Sequence, residues 1–250
     1  MPMALGGQVR RRFDSGISLQ DMEKHLTGLG TYIKDIVYGA NDGIITTFAI
    51  VAGSAGADLS SKVILILGFA NLLADGFSMA ASNFLGSRSE RDLFKKEEKR
   101  EIGEVETVPD KEKDEIKEIF LAHGFENAAA GELVRLVSNN KKFWIDFMMK
   151  YELKMHDAGY GNEWKGALLT FIAFVMAGSL PIFPFLFIPG SASNLFYSTA
   201  ATVFSLFFVG AARYFVTKVN WLVSGLEMLL VGGVAAGVAY LVGYLISAVV

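Results

Sequence analysis

The amino-acid sequence predicts an all-α protein with five transmembrane helices and a cytoplasmic helical insert between spans two and three. Three observations predict it. First, the 250-residue chain is 52% hydrophobic, with 20 Phe, and its mean hydropathy is +0.38, whereas soluble domains use roughly 45–50% apolar residues. Second, the apolar residues gather into five stretches nearly free of charge, 36–57, 63–86, 167–188, 195–216 and 221–250. About 20 helical residues cross a hydrocarbon core about 30 Å thick. Third, the charge is gathered elsewhere: segment 87–163 holds eighteen acidic and fourteen basic residues.

The expected order is an N-terminal arm (1–33), spans one and two (34–88), the insert (89–163) and spans three to five (164–250). The arm carries Arg10, Arg11 and Arg12 with no adjoining apolar core, so no cleavable signal is expected and the first span serves as its own. Basic residues alternate between loops. The chain up to Lys34 has five, loop 57–62 has Lys62, segment 87–163 has fourteen, turn 189–194 has none, and Arg213 and Lys218 flank the last connection. Lys and Arg mark cytoplasmic loops, so the N-terminus, the insert and 213–220 are assigned to the cytosol and the C-terminus to the far side.

Within the insert, "SRSERDLFKKEEKREIGEVE" continues the second helix out of the membrane until Pro109 breaks it. A helix restarts with Asp110 as N-cap and stops at Gly124. "ENAAAGELVRLVS" and "KKFWIDFMMKYELKMH" supply two more. Zero cysteines exclude disulfides and thiolate chemistry. No nucleophile with a base, phosphate-cradling glycine loop or cofactor motif supports an enzyme. The interleaved charges give no support to nucleic-acid binding.

Three acidic residues lie within the spans: Asp42, Asp75 and Glu227. A charge at the bilayer centre costs ~2.5–3.5 kcal/mol on insertion scales, so such residues usually face a bundle interior or a wet path as ion ligands or proton carriers. A hydrogen bond between helices is the structural alternative, and Glu227 sits near a water interface. Asn71, Asp75, Ser78, Met79 and Ser82 share one helical stripe. Oxygen donors with one thioether suit a divalent first-row metal, and equally suit packing between helices. In the insert, Glu97, Glu101 and Glu104 fall on one face, and Glu112, Glu115 and Glu118 recur every three residues in the next helix. Met148, Glu152 and His156 recur every four, with Met149 beside them. Such faces either enclose divalent cations or are solvated ion-paired surfaces. His25 and His123 are expected to be surface residues. No Glu-x-x-His pair occurs, which counts against a ferroxidase.

"DGIITTFAIVAG", "GFSMAASNFLGSRSE", "KREIGEVETVPDKEKDEI" and "FWIDFMMKYEL", four blocks in order from about Lys34 onward, resemble the vacuolar iron transporter family. The resemblance implies a homodimeric antiporter that moves ferrous iron, with manganese and similar ions such as cobalt or zinc, out of the cytosol in exchange for protons. Metal ions are then substrate, and no prosthetic group is implied. The resemblance further implies metal-binding roles for Glu101, Glu104, Glu112, Glu115, Glu152, Met148 and Met149. It implies translocation roles for Asp42 and Met79, and a cytoplasmic mouth at Asp35. Where family members carry a glutamate in the second span this chain has Asn71, and Asp75 one turn later is expected to take over that charge. The membrane is expected to be the plasma (inner) membrane of a prokaryote or a vacuolar or other endomembrane of a eukaryote. Gly233 and Gly237 offer a small-residue face for a second copy. Two other functions fit the same residues: a membrane-anchored iron buffer or sensor that moves nothing, and an uncoupled divalent cation channel.

Overall fold

A computed structural model describes residues 32–156, 162–187 and 193–249, and residues 1–31 with His25 lie outside them. Among the described residues the chain is all-helical. The helices are α1 (Ile33–Gly56), α2 (Ser61–Thr107), α3 (Pro109–Ala122), α4 (Asn127–Ser138), α5 (Lys141–Tyr151), α6 (Glu163–Gly178), α7 (Phe183–Phe187), α8 (Asn194–Ala212), α9 (Tyr214–Thr217) and α10 (Trp221–Ser247). Four are long and apolar enough to cross a membrane: α1, α2, α8 and α10.

The third apolar stretch is not one helix. α6 ends at Gly178 after 16 residues, about 24 Å of helix at 1.5 Å per residue. The chain then turns through residues 179–182 before α7. Pro181 and Pro184 cause the break, because neither can donate the amide hydrogen a continuous helix needs. Ser179 covers one exposed carbonyl, its hydroxyl donating to Met176 O at 2.8 Å.

The chain divides into two compact units, Ala81–Lys165 and the remainder, with α2 contributing to both. In the apolar unit the helices meet through glycines. A methyl at Gly39 would collide with the Thr170 carbonyl, and one at Gly43 with the Phe174 carbonyl. Residue numbers rise together along this seam, so α1 and α6 run parallel, with their first turns level. Gly68 meets Ile182 and Gly76 meets Phe174, so α2 is antiparallel to α6. Gly53 against Ala239 and Gly56 against Tyr240 make α10 parallel to α1. Gly210 against Ser224 and Gly232 against Leu206 set α8 antiparallel to α10. Directions therefore alternate through α1, α2, α6, α8 and α10.

Since lipid is as apolar as leucine, such close backbone packing supplies much of the association energy between spans. Gly43→Ala is expected to lower stability by about 1–3 kcal/mol, because the obstructing atoms all belong to the Phe174 backbone. Gly86→Ala, with nothing within 4 Å of the added methyl, is expected to leave stability unchanged or slightly higher. Thermal unfolding of the two variants in detergent checks the contrast.

The unit Ala81–Lys165 has its own apolar core: Val105 from α2, Ile116 from α3, Val137 from α4, and Trp144, Ile145, Phe147, Met148 and Met149 from α5. α2 stops where Pro109 begins α3. Val108 is the cap, Pro109 occupies the first turn, and Asp110 lies in that turn with Glu112. Asp110 is thus not the N-cap: proline's fixed φ favours the first helical position, which moves the cap back one residue from it. Gly124, at φ +89°, ends α3 with Phe125 N donating to Phe120 O at 3.1 Å. Asn140 caps α5, its side chain accepting from Phe143 N. α5 ends at Tyr151, so the four-residue repeat of Met148 and Glu152 does not continue on the helix to His156. Arg91 and Glu163, at the two ends of this unit, form an ion pair at 2.8 Å.

Candidate metal sites

Three glutamates come together in the unit Ala81–Lys165, each from a separate segment. Glu101 lies on α2 two turns before its end, Glu112 one turn into α3, and Glu152 at the cap of α5. One oxygen from each lies within 4.8 Å of the others. Glu101 and Glu112 are almost fully buried, at 3% and 1% exposure, whereas Glu152 is open to solvent. The placement follows from the apolar core beneath. Val105 is one turn beyond Glu101, Ile116 one turn beyond Glu112, and Met148 one turn before Glu152, and all three pack in the same cluster. Burying that stripe brings the neighbouring carboxylates to its edge.

Glu104 and Glu115 add their charge to the three, each half-buried and holding a basic partner, Arg100 at 3.0 Å and Lys111 at 2.9 Å. Glu97 is engaged elsewhere, with Lys96 and Arg100 at 3.9 Å. Met148 and Met149 are buried within the core. His123 is exposed, one ring nitrogen 2.8 Å from Ile119 O.

Electrostatically the cluster is unbalanced. Burial, then the charge of Glu152, pushes the Glu101 carboxyl up to about 7. Burial, then Glu115, does the same to Glu112, also to about 7. Glu152 is raised for the same reasons. Among the described residues, the Oε2 atoms of Glu101 and Glu112 are buried and have no hydrogen-bond partner. Buried, unpartnered, mutually repelling carboxylates are the donor set a hard or borderline divalent cation needs. Opposed oxygens of a 2.1 Å shell lie about 4.2 Å apart, so small side-chain rotations suffice to close the cluster on an ion.

The raised values carry a sign. An unfolded glutamate loses its proton near 4.5 and the folded Glu101 and Glu112 near 7, so across that window the unfolded chain binds fewer protons and stability falls as pH rises. The expected loss for the metal-free protein is on the order of 3 kcal/mol between pH 4.5 and 7. Saturating Mn2+ should restore it, and more at pH 7.5 than at pH 5, because the ion binds the deprotonated groups. Trp144 fluorescence during unfolding, with Trp164→Phe and Trp221→Phe in the background, measures it; Glu101→Gln with Glu112→Gln should flatten the dependence.

In the apolar unit a second group forms. Asp42 on α1 and Asp75 on α2 are both half-buried and close enough for their charges to repel. Asn71, one turn before Asp75, has a buried side-chain nitrogen with no hydrogen-bond partner among the described residues. Met79, one turn after, packs against the cluster of Leu72, Phe174 and Ile182. Ser78 and Ser82 are exposed, so the stripe divides into an inward part (Asn71, Asp75, Met79) and an outward one. Asp35 is half-buried in the first turn of α1. Glu227 is exposed and pairs with Arg213 at 3.4 Å. Two further buried polar atoms without a partner among the described residues lie on α1, Asn41 Oδ1 and Thr47 Oγ1. Their signal in the sequence was only that they lie within five residues of Asp42.

The sequence profile of the VIT family matches residues 33–244. A vacuolar iron transporter of Centaurea cyanus is 34% identical over 218 residues, covering 87% of this chain and 89% of the relative. Vacuolar iron transporter 1 of Arabidopsis thaliana is 34% identical, covering 87% of each. A vacuolar iron transporter of Toxoplasma gondii is 37% identical over 237 residues, covering 91% of this chain and 78% of the relative. These relatives are named as transporters and not as enzymes. With a matching profile across the spanning helices and the insert together, and relatives matched over most of their length, the chain belongs to the VIT family.

Proposed function

We propose that this protein carries ferrous iron, and manganese or similar divalent ions, across a membrane and out of the cytosol in exchange for protons. The observation that carries the proposal is the pair Asp42 and Asp75: two half-buried carboxylates, from two apolar helices, close enough to repel. Two such groups in low dielectric call for a cation or for protons between them. That exchange is the chemistry of an antiporter. On the cytosolic side the pair, with Met79 and Asn71, takes up a largely dehydrated ion; on an acidic far side protonation displaces it. Asp35 serves at the cytoplasmic mouth. The insert glutamates Glu101, Glu104, Glu112, Glu115 and Glu152 collect ions from the cytosol and raise their local supply.

Five spans belong to this reading, α6 with its following turn and α7 making the third. The alternating directions of α1, α2, α6, α8 and α10 favour it, and the level first turns of α1 and α6 favour an N-terminus and insert on the same, basic side. The receiving side is a vacuole or other endomembrane compartment in a eukaryotic cell, or the exterior in a prokaryotic one. A homodimer is supported by Gly233 and Gly237, which have nothing within 4 Å and leave room for a second copy.

The names of the relatives support iron as the cargo. Proteoliposomes loaded with a metal-sensitive dye test the whole scheme, with Fe2+ or Mn2+ outside and a pH gradient imposed or withheld. Uptake against a metal gradient, driven by an acidic lumen, is expected. Uptake that only runs downhill and ignores the gradient would indicate a channel. Binding without uptake would favour a buffer or sensor, the function that the insert cluster alone supports.

A further inference from the structure

Along the α1–α6 seam most glycines meet backbone: the methyl positions of Gly39 and Gly43 fall on carbonyls of α6, and that of Gly178 lies 2.6 Å from Gly43 O. Gly166 differs. A methyl there would lie 2.9 Å from Oδ2 of Asp35 and 3.4 Å from its Cγ. The buried Gly166 therefore presents a side-chain-free patch of the first turns of α6, and the Asp35 carboxylate occupies the space a side chain would fill. The free amides and positive end of a helix start favour a carboxylate at such a place. The Thr170 hydroxyl, donating to Gly166 O at 3.0 Å, stiffens the turn on which it rests.

We propose that Gly166 is a positioning residue for the metal path: its missing side chain seats the Asp35 carboxylate against α6 and holds it at the mouth through which ions enter. The inference rests on the transport function proposed above. It also separates two kinds of glycine. At Gly43 the obstruction is backbone, so an added methyl forces helices apart; at Gly166 it is the tip of a side chain that can rotate, so an added methyl moves the carboxylate and leaves the bundle packed.

Gly166→Ala in the full-length protein tests this. Its thermal unfolding is expected to match wild type, while KM for Mn2+ uptake into proteoliposomes rises about tenfold with the maximal rate retained. Asp35→Ala should raise KM similarly, and adding Gly166→Ala to it should cost nothing more, because the seat has no carboxylate left to hold. Carbodiimide labelling of Asp35, read by mass spectrometry in detergent, reports the seat without any flux; the rate should change severalfold in Gly166→Ala. Should Gly166→Ala unfold more readily, recovery of stability on adding Asp35→Ala would still support the contact. Wild-type KM together with a wild-type labelling rate in Gly166→Ala, or losses that multiply in the double variant, would overturn the proposal. A wild-type protein that moves no metal overturns the transport function itself, and labelling then decides alone whether Gly166 seats Asp35.

Discussion

Asp42→Asn is expected to abolish metal uptake in proteoliposomes, lowering the rate by at least about a hundredfold, while the protein remains as stable as wild type or more so. The amide has the shape of the carboxyl group and, like its neutral form, offers one acceptor oxygen and a donor, so a role for Asp42 as a neutral hydrogen-bonding link between helices would survive the change. What is lost is the charge. Removing it also relieves the repulsion from Asp75, and like charges in a low-dielectric setting destabilise the fold that holds them. Loss of transport with gain of stability is the signature of a group kept for function at the cost of the scaffold. Undiminished flux in Asp42→Asn would remove this residue from the path. Asp75→Asn should act in the same direction, and the double variant should be no less stable than either.

The second large effect belongs to the insert. Glu101→Gln with Glu112→Gln is expected to weaken divalent binding there on the order of a hundredfold, since affinity of oxygen sites follows the number of charged ligands. Isothermal titration of the full protein in detergent with Mn2+ should then lose its tighter class of sites and keep the weaker one in the apolar unit. Folding should not suffer, because both carboxyls are buried at 3% and 1% exposure with an oxygen left unpartnered among the described residues. Neutral amides remove that burden. The solvated pairs provide the contrast: Glu132→Gln, which breaks the exposed pair with Arg135, should leave binding untouched. An unchanged isotherm in the double variant would return the whole cluster to the status of a charged surface.

Much of the architecture follows from local chemistry. The four helices long and apolar enough to span lie where apolar residues crowd and charges are scarce, and a helix satisfies its own backbone in lipid, so composition over about twenty residues suffices to place it. The break at Pro109 and the stop at Gly124 are likewise decided within one turn of chain. Local chemistry also marked the carboxylates as costly wherever they lay. Other features required the packed structure. The third apolar stretch was continuous in composition yet breaks after Gly178, where two prolines withhold the amide hydrogens a helix needs. Periodicity set Met148 and Met149 beside Glu152, and only the packing shows that both lie in a core with Ile116, Trp144 and Phe147.

Helical periodicity grouped Glu97 with Glu101 and Glu104, yet only the last two join the cluster's charge, because a face of one helix says nothing about which neighbour covers it. Glu101, Glu112 and Glu152 lie up to fifty-one residues apart in the chain, and their meeting is set by how three helices bury Val105, Ile116 and Met148 together. In the same way Asp42 and Asp75 come from different helices, and Gly166 acquires a task only because α6 lies along α1. The sequence by itself determined which segments avoid water and which residues are expensive to keep there. Tertiary structure decided which of those residues share one small space, since proximity across the chain depends on the apolar packing that surrounds them and on no property of any one segment.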